Sequence, residues 1–291
     1  MHRPSRLHGS DASATGPVTT AFVLSGGGNL GPMQAGTCVA LTEAGIIPDL
    51  LVGTSVGALN AAFLSTRPGV DGARSLMAAW SALNRRQAVR LNPLTALAGF
   101  LGTRDHLVSD QQLRQLIRRW VEVGRIEQAT TPFAVVATDA LTGEDVVLTS
   151  GDVVDALAAS SAVPGLFPPV QIDGRWLVDG GLSANHPVLQ AQALGADDIY
   201  LITTTTAPRP RPPRGAVAVA MTSAALVMER ADRRRLEEAA GRAEAAGGSI
   251  RIVPSAEPSA PGPFDFRRSD SLAGAAYRRT KLWLATDVPL R

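Results

Sequence analysis

A serine with a glycine two residues away on each side, Gly53-Thr54-Ser55-Val56-Gly57, has the residue types and spacing for covalent catalysis. It follows an apolar run, Asp49 to Thr54, that reads as a buried strand, and it precedes a helical run, Val56 to Ser65. The two glycines permit a turn tight enough to lift Oγ out of a sheet. The helix start then places partial positive charge beside it. These are the requirements of a nucleophile elbow, although the same five residues could be a turn serine capping a helix.

A second constellation, Gly26-Gly27-Gly28-Asn29-Leu30-Gly31, also lies between a strand (Thr20 to Ser25) and a helix (Gly31 to Ala44, closed by Gly45). Successive glycines let backbone N–H groups converge on an anion. That anion could be a nucleotide phosphate or the oxyanion of a tetrahedral acyl intermediate. Gly26, Gly28 and Gly31 satisfy the dinucleotide spacing, but the acidic residue expected at the end of the next strand is missing, because that strand ends in Gly53-Thr54-Ser55. No Gly-Lys-Ser/Thr follows the glycines, which excludes a P-loop. A non-catalytic binder of lipid or phosphate could use the same loop.

The third is Val178-Asp179-Gly180-Gly181, an aspartate at a strand end. Ser55 needs a base, and the four histidines are poorly placed for it. His2 and His8 lie in the N-terminal tail, His106 in a helical insertion, and His186 at a helix start in Asn185-His186-Pro187. A triad of Ser55, Asp179 and His186 would require the loop to fold back sharply, so a Ser55–Asp179 dyad is the simpler arrangement. Aspartate is a weak base unless shielded from water. The apolar neighbours Leu177, Val178 and Leu182 are expected to shield it.

The elements that must position these groups alternate strand, glycine turn, helix, strand, sharp turn, helix. That order argues for a parallel sheet covered by helices on both faces. Residues 1–19 read as a disordered tail and 20–206 as the catalytic core, with a mainly helical insertion at about 68–130. Within the insertion, Leu113, Leu116, Ile117, Trp120 and Val121 form one helix face, and Arg114, Arg118 and Arg119 the other. Strands are expected at Phe133 to Thr138, Glu144 to Thr149, Trp176 to Val178 and Asp198 to Thr203. Pro187 and Gly195 bracket a further helix. A Pro/Arg linker at 207–215 leads to residues 216–291, an Ala-rich helix, a strand at Ser249 to Val253 and a final helix packing on the same domain.

Composition narrows the classes further. Of 291 residues, 45% are hydrophobic and 19% charged, which describes a folded globular chain. The formal charge of +2 and the absence of aromatic residues along a basic stripe argue against nucleic acid. The single cysteine, Cys38, allows no intramolecular disulfide and sits in an apolar helical run, as a small buried hydrophobe does. There is no secretory signal and no apolar run of spanning length, so a cytoplasmic protein is expected. Metal-ligand spacing is absent, and no cofactor is called for.

As a set and in order, these stretches resemble the bacterial patatin-like phospholipases. The Gly26 to Gly31 loop resembles that family's oxyanion loop, Gly53 to Gly57 its elbow, and Asp179-Gly180-Gly181 its aspartate motif. The run Ala159 to Pro169 (Ala-Ser-Ser-Ala-Val-Pro-Gly-Leu-Phe-Pro-Pro) and Asn185-His186-Pro187 agree as well. The resemblance covers about Ala21 to Ile202. It implies a three-layer α/β/α fold, a Ser55–Asp179 dyad, an oxyanion hole at Gly26, Gly27 and Gly28, and support from Gly31, Gly53, Gly57, Gly180 and Gly181. The implied substrate is a lipid acyl ester, and transient contact with a membrane surface would follow from that. One departure is Leu30, where many bacterial relatives carry Arg or Lys. Backbone donors survive this change, but a cation facing an anionic head group does not.

Overall fold

The computed structural model describes residues 19–83, 108–204, 216–254 and 267–286. His2, His8, His106, the 207–215 linker and part of the insertion lie outside them.

The sheet has eight strands: β1 (Thr20–Leu24), β2 (Leu50–Thr54), β3 (Phe133–Asp139), β4 (Asp145–Leu148), β5 (Val170–Ile172), β6 (Arg175–Asp179), β7 (Asp198–Ile202) and β8 (Ser249–Val253). Strands β8, β7, β1, β2 and β3 run parallel, in that spatial order. Strands β4 and β6 pair antiparallel with β3, and β5 antiparallel with β6. The sheet is therefore mostly parallel, as expected, with antiparallel strands at one end. Buried parallel strands can be apolar on both faces, and these are. Phe22, Leu24, Leu51, Phe133, Val135 and Ala137 point into one core, and Ala21, Val23, Leu50, Val52, Ala134 and Val136 into the other. This strict alternation makes the molecule a three-layer α/β/α sandwich.

The first face is covered by α1 (Gly31–Glu43), α2 (Val56–Ser65), α3 (Gly69–Ala82), α4 (Gln111–Trp120) and α5 (Val153–Ser160). The second face is covered by α6 (Gly181–Ala184), α7 (Val188–Ala193) and α8 (Ala216–Ala246). The last helix, α9 (Ser269–Ala285), packs along α1, with Thr280 Oγ1 donating to Thr37 Oγ1 at 3.3 Å. In α4, Ile117 and Trp120 are buried as the periodicity requires, but Arg114 is not on a solvated face. It is half-buried between Asp110 and Asp155 and pairs with both, so ion pairing draws it inward. Cys38 is fully buried, and burial pushes its thiol up to about 12, which leaves it inert as a nucleophile.

Registers along β3 explain how distant parts of the chain meet. Val135 and Val136 pair with β2 on one edge and β4 on the other, while Ala137 and Thr138 pair with β4 and β6. Each strand residue has two edges, so β2 and β6 must share the edge opposite β4. Thr54, the last residue of β2, stands opposite Val136, and Asp179, the last of β6, stands opposite Ala137. The two strands run toward each other along one edge and meet end to end.

A buried amide chain ties the two helices that leave the site. Trp80 Nε1 donates to Asn60 Oδ1 (2.9 Å), and Asn60 Nδ2 donates to Gln34 Oε1 (2.8 Å) and to the Gly31 carbonyl (3.1 Å). Gln34 Nε2 in turn donates to the Ser25 carbonyl (2.8 Å). Both amide side chains are fully buried, so each lost partner is costly. Asn60→Ala is expected to destabilise the fold by about 3 kcal/mol, since it strands the Trp80 N–H and the Gln34 carbonyl oxygen. A denaturant titration that returned less than about 1 kcal/mol would contradict this.

Candidate active site

The turn after β2 is bent as an elbow requires. Ser55 has φ 54° and ψ −123°, a left-handed conformation that is rare for a residue with a side chain. Its strain is held by bonds from both sides. The Ser55 N–H donates to Ser160 Oγ (2.8 Å), and Ser160 Oγ donates to the Val136 carbonyl (2.6 Å). The preceding residue, Thr54, donates through Oγ1 to the Ala184 carbonyl (2.8 Å). Gly57 lets α2 start this close to the sheet, because a Cβ there would stand 2.2 Å from the Leu24 carbonyl oxygen.

At the junction of the two strands, Ser55 Oγ donates to Asp179 Oδ2 at 2.7 Å. The other carboxylate oxygen, Oδ1, accepts the Gly181 N–H at 2.8 Å. Asp179 is 8% exposed, and burial raises its carboxyl to about 6 despite the two hydrogen bonds that pull it down. Leu177 and Val178 are buried around it, as expected. Leu182 is 43% exposed because α6 turns it outward, so it is not part of the shield. Gly180 is required by crowding, since a Cβ there would lie 2.1 Å from the Val136 carbonyl oxygen.

The glycine loop lies against the same serine. A Cβ on Gly26 would stand 3.5 Å from Ser55 Cβ and 2.5 Å from Asn185 Oδ1. The Gly26 N–H is already committed to the Asn185 carbonyl at 3.2 Å. The anion-binding donors expected at Gly26, Gly27 and Gly28 therefore narrow to the last two. Gly27 and Gly28 are exposed and open a short 3-10 turn, Gly28–Leu30, whose first N–H groups have no intrahelical acceptor. Gly28 has φ 57°, which glycine tolerates. The loop is anchored from β7 by Thr204, whose Oγ1 donates to the Gly26 carbonyl (2.5 Å). Leu30 turns away from the loop, toward Met33 and toward Leu272 and Ala276 of α9, and Gly31 sits against Trp80 and Val56. Leu30 is thus part of a small apolar cluster.

His186, the one histidine among the described residues, is occupied elsewhere. Its Nδ1 lies 3.9 Å from Asp232 Oδ2 on α8, and burial lowers its basicity. Two residues that hold the site were not picked out as functional from the sequence. Ser160 was visible within the Ala159 to Pro169 stretch, whereas nothing in the sequence marked Asp232. Among the described residues no group of three or more His, Cys, Asp or Glu side chains could hold a metal ion. Nor is any helix long and apolar enough to cross a membrane.

Comparison with known proteins gives the geometry a context. An uncharacterized NTE family protein of Mycobacterium tuberculosis is 33% identical over 181 residues, 61% of this chain and 46% of that protein. The mouse patatin-like phospholipase domain-containing protein 7 is 29% identical over 215 residues, 69% of this chain and 15% of that protein. The chain thus spans less than half the length of these curated relatives. Among solved structures, VipD from Legionella pneumophila aligns with a TM-score of 0.47 at 16% identity, covering 93% of this chain and 67% of that one. The family model described as patatin-like phospholipase matches residues 22–191, more than half of the chain and every site residue named above except Thr204, Asp232 and the two α9 residues. The chain belongs to the patatin-like phospholipase family.

Proposed function

We propose that this protein is a serine hydrolase of lipid acyl esters, with Ser55 as nucleophile and Asp179 as its base. The observation that carries this reading is the 2.7 Å bond from Ser55 Oγ to a buried carboxylate whose pKa stands at about 6. A structural helix cap would direct the serine oxygen to the helix N–H groups, and Ser55 makes no such side-chain bond. Membership of the patatin-like phospholipase family supports a lipid substrate.

In the proposed reaction Asp179 accepts the Ser55 proton as Oγ attacks the ester carbonyl. The carbonyl π-electrons move onto oxygen, and the Gly27 and Gly28 N–H groups receive the oxyanion. Collapse re-forms the carbonyl and breaks the C–O bond to the alcohol, which leaves with the proton held by Asp179. An acyl-Ser55 ester remains. Asp179 then takes a proton from water, the hydroxide oxygen attacks the acyl carbon, and Oγ departs as the proton returns to it. The proximity of Ser55 to the N-terminus of α2 and to the glycine turn favours the negative charge in both steps. A non-catalytic lipid binder would need neither the strained serine nor the buried base.

Hydrolysis of short and long p-nitrophenyl esters tests the assignment. Ser55→Ala is expected to lower kcat by about 10⁴-fold or more, and Asp179→Asn by about 10²–10⁴-fold. Retained turnover in Ser55→Ala would sink the nucleophile assignment. A fluorophosphonate probe should label wild type and not Ser55→Ala.

The pH dependence follows from the same carboxyl. Only the ionised form of Asp179 acts as base, so kcat/KM for the free enzyme should rise through pH 6 and level above it. The stability sign is opposite. A folded pKa raised above the unfolded one stabilises the fold below about pH 4, and this contribution is lost as pH rises through 6. Asp179→Asn should therefore melt above wild type at pH 8, with the gap narrowing toward pH 4. A gap independent of pH in thermal melts would contradict the assigned cause.

A further inference from the structure

Beyond the dyad, the structure holds a buried carboxylate that the proposed reaction does not use. Asp232 lies on α8, outside the residues that match the family model, and it is 5% exposed. Taking a carboxylate out of water is unfavourable, and burial raises its pKa. It persists because its partners are all in one place. Oδ1 accepts the Asn185 N–H at 3.2 Å, Oδ2 faces His186 Nδ1 at 3.9 Å, and the Arg235 guanidinium is close enough to favour its charge. Arg235, one turn along α8, donates Nη1 to the Ser183 carbonyl and lies 3.9 Å from Asp145 Oδ1.

The segment that Asp232 and Arg235 grip, Ser183 to His186, touches each part of the site. Its Ala184 carbonyl accepts from Thr54, the residue before the nucleophile. The Asn185 carbonyl accepts the Gly26 N–H and so fixes where the next two N–H groups point. Asn185 Oδ1 would be 3.3 Å from a Cβ on Gly181, whose N–H holds Asp179. Ser183 Oγ shares a 2.7 Å bond with Thr138 Oγ1, and Thr138 donates to the Asp179 carbonyl at 2.9 Å. One short segment thus links the glycine loop, the elbow and the aspartate. It is fastened to the sheet at Thr54 and Thr138 and to α8 at Asp232 and Arg235.

We propose that Asp232 is a positioning residue, which clamps the Asn185 backbone to α8 and thereby aims the Gly27 and Gly28 N–H groups at the Ser55 oxyanion. It rests on the serine hydrolase reading above. Asp232 touches neither Ser55 nor substrate, so its effect must appear in transition-state stabilisation and not in substrate binding. Loosening the segment leaves the Gly26 N–H bond and its direction variable. An oxyanion donor displaced by a fraction of an ångström stabilises the charged intermediate less and leaves ground-state binding unchanged.

Kinetics of the full chain with a p-nitrophenyl ester test this, with each variant normalised to the fraction that far-UV circular dichroism reports as folded. Asp232→Ala should lower kcat on the order of tenfold while KM stays within about twofold, since it leaves the half-buried Asn185 N–H without its acceptor. Asp232→Asn keeps that acceptor and should recover most of the loss. Both variants should keep the wild-type pH limb, because Asp179 is untouched. Glu238→Gln, an exposed change on the same helix, should leave kcat unaltered. Fluorophosphonate labelling separates the two levels of the argument. If wild type neither turns over ester nor labels, the hydrolase reading fails and the clamp with it. If wild type labels and Asp232→Ala keeps the wild-type kcat, or loses kcat and KM together, the clamp alone is overturned.

Discussion

The structure depends on a single edge of β3. A strand has two edges, and β4 occupies one of them along Val135 to Thr138. Strands β2 and β6 must divide the other, approaching from opposite ends, and neither can continue once they meet at the Val136–Ala137 step. Both chains therefore turn away at the same height. Residues one strand step apart are separated by about 3.3 Å, so the side chain at the first turn and the last side chain of the second strand come within hydrogen-bond reach. The contact of Ser55 with Asp179 follows from strand register, and the crowding at Gly180 against the Val136 carbonyl comes from the same junction.

That junction also sets the electrostatics. Where two strands end head to head inside a sandwich, water is excluded from one face by α5 and from the other by α6. A carboxylate there loses hydration, which is why burial is the dominant influence on Asp179. The two hydrogen bonds it accepts oppose this but do not cancel it. The balance leaves a group more basic than a solvated aspartate, as the proposed proton transfer from Ser55 requires. A histidine would have to enter the same strand junction, and His186 is instead held on the second face of the sheet by α8.

Much of this was legible in the sequence because local chemistry and global fold agree there. Val56–Ser65 folds over the residues its pattern marks, and the elbow glycines stand where tight approach demands them. Three things were not legible. The direction of β6 was one, since a five-residue run of apolar and polar residues carries no sign of whether it pairs parallel or antiparallel. The division of labour among Gly26, Gly27 and Gly28 was another, because it depends on the carbonyl of Asn185, 159 positions after Gly26. The inward turn of Arg114 was the third. Helical periodicity places it with Arg118 and Arg119, and the carboxylates of Asp110 and of Asp155 on α5 reverse that.

The C-terminal segments contribute to the site without supplying a reacting group. Helix α9 covers Leu30 and Met33 and so turns the start of α1 into an apolar joint. Helix α8 grips the end of α6 and the residue after it through Arg235 and Asp232. Strand β7 ends beside the glycine loop and fastens it through Thr204. A glycine-rich loop has little side-chain packing of its own, so its geometry must be imposed by neighbours. Here those neighbours come from three elements, all of them beyond the residues that match the family model. The direction of the glycine loop is consequently set by parts of this chain that lie outside the matched motifs.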